Sequence, residues 1–209
     1  MFIAFDGIDG AGKTTIYNKI AEYLSSKYYV QLFDMGKLGF LDDIIKKIKS
    51  KKLVCDAEIR ECIYYFEGVL FSEKIAKKYL GNPDEHILID RYILSFLSYG
   101  PLNGMDRCQI IKLIEGMVWP DYYFYVDIEP ELALKRIILE REICRPEIGY
   151  KNNMPDNKSE ISNKFISFQT NVRNNFIYSI SQIPNKVYQI NNNDDIELSI
   201  NCVKDKLGL

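Results

Sequence analysis

The sequence predicts an α/β domain in three layers, a five-stranded parallel sheet flanked by helices. Short apolar runs alternate with stretches of helical periodicity along the whole chain, the pattern of crossover units in which a helix returns the backbone to the next parallel strand. The run Tyr122 to Val126 is apolar on both faces and closes on Asp127, as suits a central strand covered on both sides. A length of 209 residues suffices for one such domain with one core, spanning 1–209.

Phe2 to Phe5 form the first strand, and the segment Gly7 to Thr15, GIDGAGKTT, follows it directly. Its spacing fits GxxxxGK[ST], with Gly7, Gly12, Lys13 and Thr14 at the required positions and a helix starting near Lys13. Glycines at 7, 10 and 12 allow turns closed to residues with a Cβ, so successive backbone N–H groups can point at a polyphosphate. The helix start adds partial positive charge, Lys13 a full charge for the β and γ phosphates, and the Thr14 hydroxyl a ligand for Mg2+. The whole loop, Gly7, Ile8, Asp9, Gly10, Ala11 and Gly12 with Lys13, Thr14 and Thr15, is therefore assigned to ATP. The plain alternative is a glycine-rich turn with a solvated lysine.

The first helix carries Ile16, Ile20, Tyr23 and Leu24 on one stripe, and Tyr28 to Phe33 reads as the second strand. A basic helix near Leu41 to Lys52 buries Ile44, Ile45 and Ile48, its lysines forming a solvated face. Asp56 to Leu80 is a longer helical pattern with Ile59, Cys62, Ile63, Phe66, Val69, Leu70, Ala76 and Leu80 recurring at three and four, stopped by Gly81-Asn82-Pro83.

The third strand, His86 to Asp90, ends in an acid followed by Arg91. Loops after the carboxyl ends of parallel strands line the ligand crevice, so Asp90 and Arg91 should face Lys13. Otherwise Asp90 caps the next helix. Pro101 to Gly104 reads as a turn, Asp106 to Val118 as an amphipathic helix, and Pro130 opens a helix running to about Glu142.

Residues 143–158 are polar and aperiodic, with two prolines, and read as a mobile functional loop or else a surface insertion. Arg136, Arg141 and Arg145 approach and enter it, and guanidinium forks match phosphate oxygens. Arg141 and Arg145 share a face if the helix persists. Ser159 to Gln182 is the longest helix, Lys186 to Ile190 the last strand, and Asp194 or Asp195 caps a final helix bearing Ile196, Ile200, Val203 and Leu207.

Bulk composition narrows the function. With 27 Lys and Arg against 29 Asp and Glu, the chain lacks the basic surface of a nucleic-acid binder. The five cysteines form no CxxC pair and the single histidine, His86, completes no zinc pattern. They read as thiols of a reducing cytosol, and with no leader or membrane-length apolar run the expected location is cytoplasmic.

FIAFDGIDGAGKTT, DRYILSFLSYG, WPDYYFYVDIEPELALKRI and REICRPE occur in that order over nearly the whole chain. Together they resemble thymidylate kinases of the P-loop nucleoside monophosphate kinase group. The resemblance implies the P-loop kinase fold with a mobile lid at about 143–158, a homodimer, ATP as donor with Mg2+, and dTMP first among monophosphate acceptors. It places Lys13 on the donor phosphates, and Thr14 on the metal with Asp90 arranging it. Asp9 would lie near the acceptor sugar, Arg91 on the acceptor phosphate, Ser95 and Tyr99 on the acceptor side, and Tyr64 against the base. Arg136, Arg141 and Arg145 match lid arginines that reach the transferred phosphate, a charge that Gly10 and Ala11 cannot supply.

The departures fall on the acceptor side. Phe33-Asp34-Met35 stands where the family has Arg-Glu-Pro, Gly68 where an arginine reads the base carbonyl, and Gly100 where a glutamine follows Tyr99. Losing a donor to a base edge weakens selection as well as affinity, so the acceptor base is less defined than the donor. Transfer between two phosphates needs positioning and charge neutralisation rather than a general base. Two further readings stay open. One is a deoxynucleoside kinase acting on a 5'-hydroxyl with Asp34 as base. The other is a non-enzymatic nucleotide switch, for which no NKxD motif speaks, since Asn185-Lys186 leads into a strand without the acid.

Overall fold

Five parallel strands, β1 (Phe2–Asp6), β2 (Tyr29–Asp34), β3 (Glu85–Asp90), β4 (Tyr122–Asp127) and β5 (Tyr188–Asn191), stand in the order β2-β3-β1-β4-β5 in a computed structural model. The structure describes residues 1–50, 52, 53, 55–82, 84–149 and 154–209. Because the chain enters at the middle strand and builds outward on both sides, the loop after β1 sits at the topological switch point, where open α/β sheets bind ligands. The register brings the carboxyl ends level: Asp90 pairs with Phe5 on one side and Asp34 on the other.

Side chains alternate along β1, so Phe5 meets Tyr17 of α1 (Lys13–Ser25) on one face while Phe2 meets Phe71 of α3 (Ala57–Phe71) on the other. Tyr125 of β4 packs on Phe176 of α8 (Lys158–Gln182), on the α3 side, and α1 packs with α9 (Ile196–Leu207). Two helical layers thus cover the sheet, and all five residues of β1 are buried.

Several boundaries differ from the sequence reading for identifiable reasons. In α1 the buried stripe includes Tyr17 and Ala21 in place of Tyr23. The basic helix, α2, spans Asp42–Lys49 and leaves Ile44 exposed. The long helix is α3, a π-helical turn (Ser72–Ala76) and α4 (Lys77–Tyr79), and it buries Glu61, Tyr65 and Gly68 while Ile59, Phe66 and, just past the end of α4, Leu80 are exposed. The helix is rotated toward a polar cavity, where Glu61 finds a hydrogen-bond donor. Pro101, expected in a turn, lies inside α5 (Ile93–Asn103), which ends only at Gly104 with φ 109°. Proline fits helical φ, and its missing N–H forgoes one bond near the helix end.

Asp106 caps α6 (Arg107–Ile114), accepting from Gln109 N at 3.1 Å, and Asp195 caps α9, accepting from Glu197 N at 3.0 Å. The helix opened by Pro130, α7, spans Pro130–Glu140. Residues Arg145–Ile148 form a 3₁₀ turn with Glu147 and Ile148 buried, in a stretch expected to lack structure. Positions 150–153 of that expected loop lie outside the described residues.

Candidate active site

The phosphate loop is held open by contacts that exclude other residues. A Cβ on Gly10 would stand 2.7 Å from Ala133 O, and one on Gly12 2.6 Å from Asn192 Nδ2, and both glycines have φ near +80°. Asn192 Nδ2 donates to Ala11 O at 2.8 Å, and Lys13 Nζ donates to Ile8 O at 2.7 Å from inside the loop's curl. Burial lowers the Lys13 ammonium to about 8 against the pull of Asp90, Asp9 and Asp6. Gly10, Gly12, Lys13, Thr14 and Thr15 line a cavity of about 650 Å³, while Gly7, Ile8 and Ala11 shape the loop behind them.

Thr14 Oγ1 donates to Asp90 Oδ2 at 2.7 Å, and Asp90 Oδ1 is buried without a hydrogen-bond partner. Asp90 does not cap α5. That end is held by Asp6, whose Oδ2 accepts from Tyr92 N at 3.1 Å and from Tyr123 Oη at 2.6 Å while Oδ1 takes the Ser95 hydroxyl. A carboxylate with one orphaned oxygen beside a threonine hydroxyl suits a hard divalent cation. Among the described residues no cluster of three or more His, Cys, Asp or Glu could hold a metal alone, so phosphate oxygens and water would complete its shell.

Arg91 is the one non-glycine residue with positive φ, at 67°, among those described. That strained turn aims its guanidinium back across the loop: it ion-pairs with Asp9, donates to Gly7 O at 3.3 Å and Ser95 Oγ at 3.4 Å, and lies 5.2 Å from the Tyr99 ring centre. Burial opposes the Asp9 charge, yet Arg91 and Lys13 hold its carboxyl below the usual carboxylate range. Asp9 Oδ2 also accepts from Tyr99 Oη at 3.3 Å and Gln169 Nε2 at 3.1 Å.

Gln169, missed from the sequence, is fully buried mid-α8 and also bonds Glu147 O at 2.9 Å. A glutamine on the stripe of Phe165 and Val172 was the available signal.

Of the three arginines, Arg136 and Arg141 line the large cavity and Arg145 does not. Arg136 donates to Asn192 O at 2.9 Å. The helix stops at Glu140 and Arg141 is extended, so Arg141 and Arg145 share no helical face; Arg141 instead pairs with Glu147, its Nη1 donating to Oε2 at 3.0 Å.

A second cavity of about 250 Å³ adjoins the first, with Asp9, Asp34 and Arg91 lining both. Its other walls include Glu61, Tyr64, Ser95, Phe96, Tyr99 and Asn103. Gly68, expected at the base, is not on its surface: a Cβ there would stand 2.6 Å from Phe96 Cζ, because Phe96 fills that space and stacks on Tyr65 at 4.2 Å. A Cβ on Gly100 would likewise stand 2.7 Å from Tyr65 Oη, and Phe33 turns away to Phe71. Asp34 Oδ1 accepts from Gly36 N at 2.8 Å, and Oδ2 pairs with Lys37 at 2.9 Å.

The structure of thymidylate kinase from Ehrlichia chaffeensis shares this fold with a TM-score of 0.71 and 24% identity, covering 100% of this chain and 98% of that one. The thymidylate kinase of Acholeplasma laidlawii is 27% identical over 214 residues, 99% of this chain and 98% of its own. A probable thymidylate kinase of Sulfurisphaera tokodaii is 34% identical over 140 residues, 65% of this chain and 68% of its own. The family model described as thymidylate kinase matches residues 5–203. With that match running from the first strand to the last helix, the chain belongs to the thymidylate kinase family.

Proposed function

We propose that this chain transfers the γ-phosphoryl group of ATP to the phosphate of dTMP, giving ADP and dTDP. The observation that carries the reading is the shared wall of Asp9, Asp34 and Arg91: a nucleotide in each cavity would bring its phosphates to the same boundary. Family membership supplies the substrate pair.

In this reading the loop from Gly7 to Thr15 and Lys13 hold the donor phosphates, and Arg136 and Arg141 approach them from the far side. Arg91 grips the acceptor phosphate, with Asp9, Ser95 and Tyr99 fixing its guanidinium. Mg2+ held by Thr14 and Asp90 with the ATP phosphates would neutralise charge during transfer. The acceptor phosphate is already ionised near neutral pH, so no base is required. Residues 143–158 act as the lid of a single domain spanning 1–209. Arg145 has a place in catalysis only if that lid moves inward.

Asp34 gives no specific support to a deoxynucleoside kinase: its Oδ1 accepts from Gly36 N and its Oδ2 pairs with the exposed Lys37, and nothing among the described residues aims it as a base at a 5'-hydroxyl. We further assign the protein to the cytoplasm and to a homodimer. Ile59 and Phe66 of α3 and Ile111 of the adjoining α6 are all at least half exposed, an apolar face that a second copy would cover. The described residues contain no helix long and apolar enough to cross a membrane.

A coupled ADP assay offered dTMP, other monophosphates and thymidine separately tests the reaction. Turnover with dTMP and none with thymidine is expected. Turnover with thymidine alone would establish the deoxynucleoside kinase, and ATP binding without any phosphorylated product would establish the switch.

A further inference from the structure

The small cavity is polar at both ends, and only one end is committed to phosphate. Asp9 and Arg91 border the donor cavity, whereas Glu61 of α3 and Asn103 at the end of α5 line the small cavity alone. Asn103 Nδ2 donates to Glu61 Oε1 at 2.9 Å, which fixes the two side chains as a unit. Asn103 is 2% exposed, and its Oδ1 is buried without a hydrogen-bond partner. A buried acceptor left unmatched is costly unless a ligand supplies the donor. Between the two ends stand Tyr64 and Phe96, which offer apolar surface to a flat ring.

We propose that Glu61 and Asn103 are the specificity-determining pair of the acceptor cavity, reading the N3–H and C4=O edge of thymine in place of a cationic side chain. The inference rests on the reading that this cavity takes dTMP. Asn103 Oδ1 accepts from N3–H, and a protonated Glu61 donates its remaining O–H to the carbonyl. Burial raises the Glu61 carboxyl to about 7, against the opposing bond from Asn103, so a neutral acid is available there. Arg60 on the same helix and Arg91 across the cavity favour its ionisation less than burial opposes it. The other acids on the wall, Asp9 and Asp34, are paired with Arg91 and Lys37. Phe96 closes the space beside Gly68, so the base edge meets this neutral pair rather than a guanidinium.

The test is calorimetric binding of dTMP, its N3-methyl derivative and dCMP to the unaltered protein at about pH 6, run beside the turnover assay. Methylation removes the donor opposite Asn103, and cytosine sets an amino group in place of the carbonyl opposite Glu61. Each should weaken binding by at least about tenfold relative to dTMP. Asn103→Ala should weaken dTMP binding by a similar factor and leave ATP binding within about threefold of wild type. The methyl derivative needs no variant to fold, so it decides the matter alone if Asn103→Ala is unstable. Equal binding of dTMP and the methyl derivative, or no binding of dTMP, overturns the assignment. Ordered binding without phosphorylation would leave the assignment standing and refute the kinase reading instead.

Discussion

Thr14 Oγ1 and Asp90 Oδ2, 76 positions apart in the chain, are joined at 2.7 Å where the first turn of α1 meets the end of β3. The bond leaves Asp90 Oδ1 buried and unmatched, a condition that a divalent cation relieves. Asp90→Asn should therefore raise the Mg2+ concentration for half-maximal turnover by about ten- to hundredfold. A Mg2+ titration at fixed ATP and dTMP checks this, and an unchanged midpoint would remove Asp90 from the metal site.

Lys13→Ala should lower kcat by roughly a hundred- to a thousandfold, the cost of removing one preorganised donor from a transferring phosphoryl group. Single-turnover rates at saturating substrates measure it directly. A loss under about threefold would assign Lys13 to loop structure, through its bond to Ile8 O, rather than to transfer.

Arg91→Ala strips Asp9 of its ion-pair partner and removes the charge between the cavities. The KM for dTMP should rise by about tenfold or more while the KM for ATP holds within about threefold. Steady-state kinetics with each substrate varied in turn separate the two. Equal increases in both would mean that the variant disturbs the loop as a whole.

Gly68 is a packing position. Placing a Cβ 2.6 Å from Phe96 Cζ forces the ring to move, so Gly68→Ala should destabilise by about 1–3 kcal/mol in urea unfolding. Phe96→Leu should recover part of that loss when combined with it, because the two share one contact. Strict additivity would contradict the packing account.

Glu61 makes stability depend on pH with a definite sign. Its folded value, about 7, lies above its unbonded value of 4.5, so between the two the folded chain binds more protons than the unfolded one. Stability contributed by this group is therefore complete below about pH 4.5 and falls as pH rises through about 7. Glu61→Gln removes the titration, so its Tm relative to wild type should be higher at about pH 8 than at about pH 5. The difference is on the order of 2–3 kcal/mol at most, and a difference that does not change with pH would refute the raised carboxyl.

The frame of the molecule was legible because its signals are local. Gly7, Gly12, Lys13 and Thr14 announce their loop by spacing alone, and the two-faced apolar run of β4 marks it as an interior strand, which it is, between β1 and β5. Asp90 and Arg91 could be placed because parallel topology puts strand ends on one edge. What sequence could not give was rotation and filling. The apolar residues Ile59 and Phe66 suggested the buried side of α3, but the helix turns Glu61 inward to meet Asn103, a partner 42 positions away. Gly68 reads from the sequence as a lost base contact, whereas in the fold Phe96 occupies the space a side chain there would need. Arg141 and Arg145 share a helical face only if α7 continues past Glu142, whereas it stops at Glu140 and Glu147 captures Arg141.

The most direct measurement is to incubate the purified chain with ATP, Mg2+ and dTMP and to resolve the nucleotides formed. The account predicts dTDP and ADP in equal amounts, with both lost in Lys13→Ala. ADP released without dTDP, or thymidine phosphorylated while dTMP is left untouched, would contradict it.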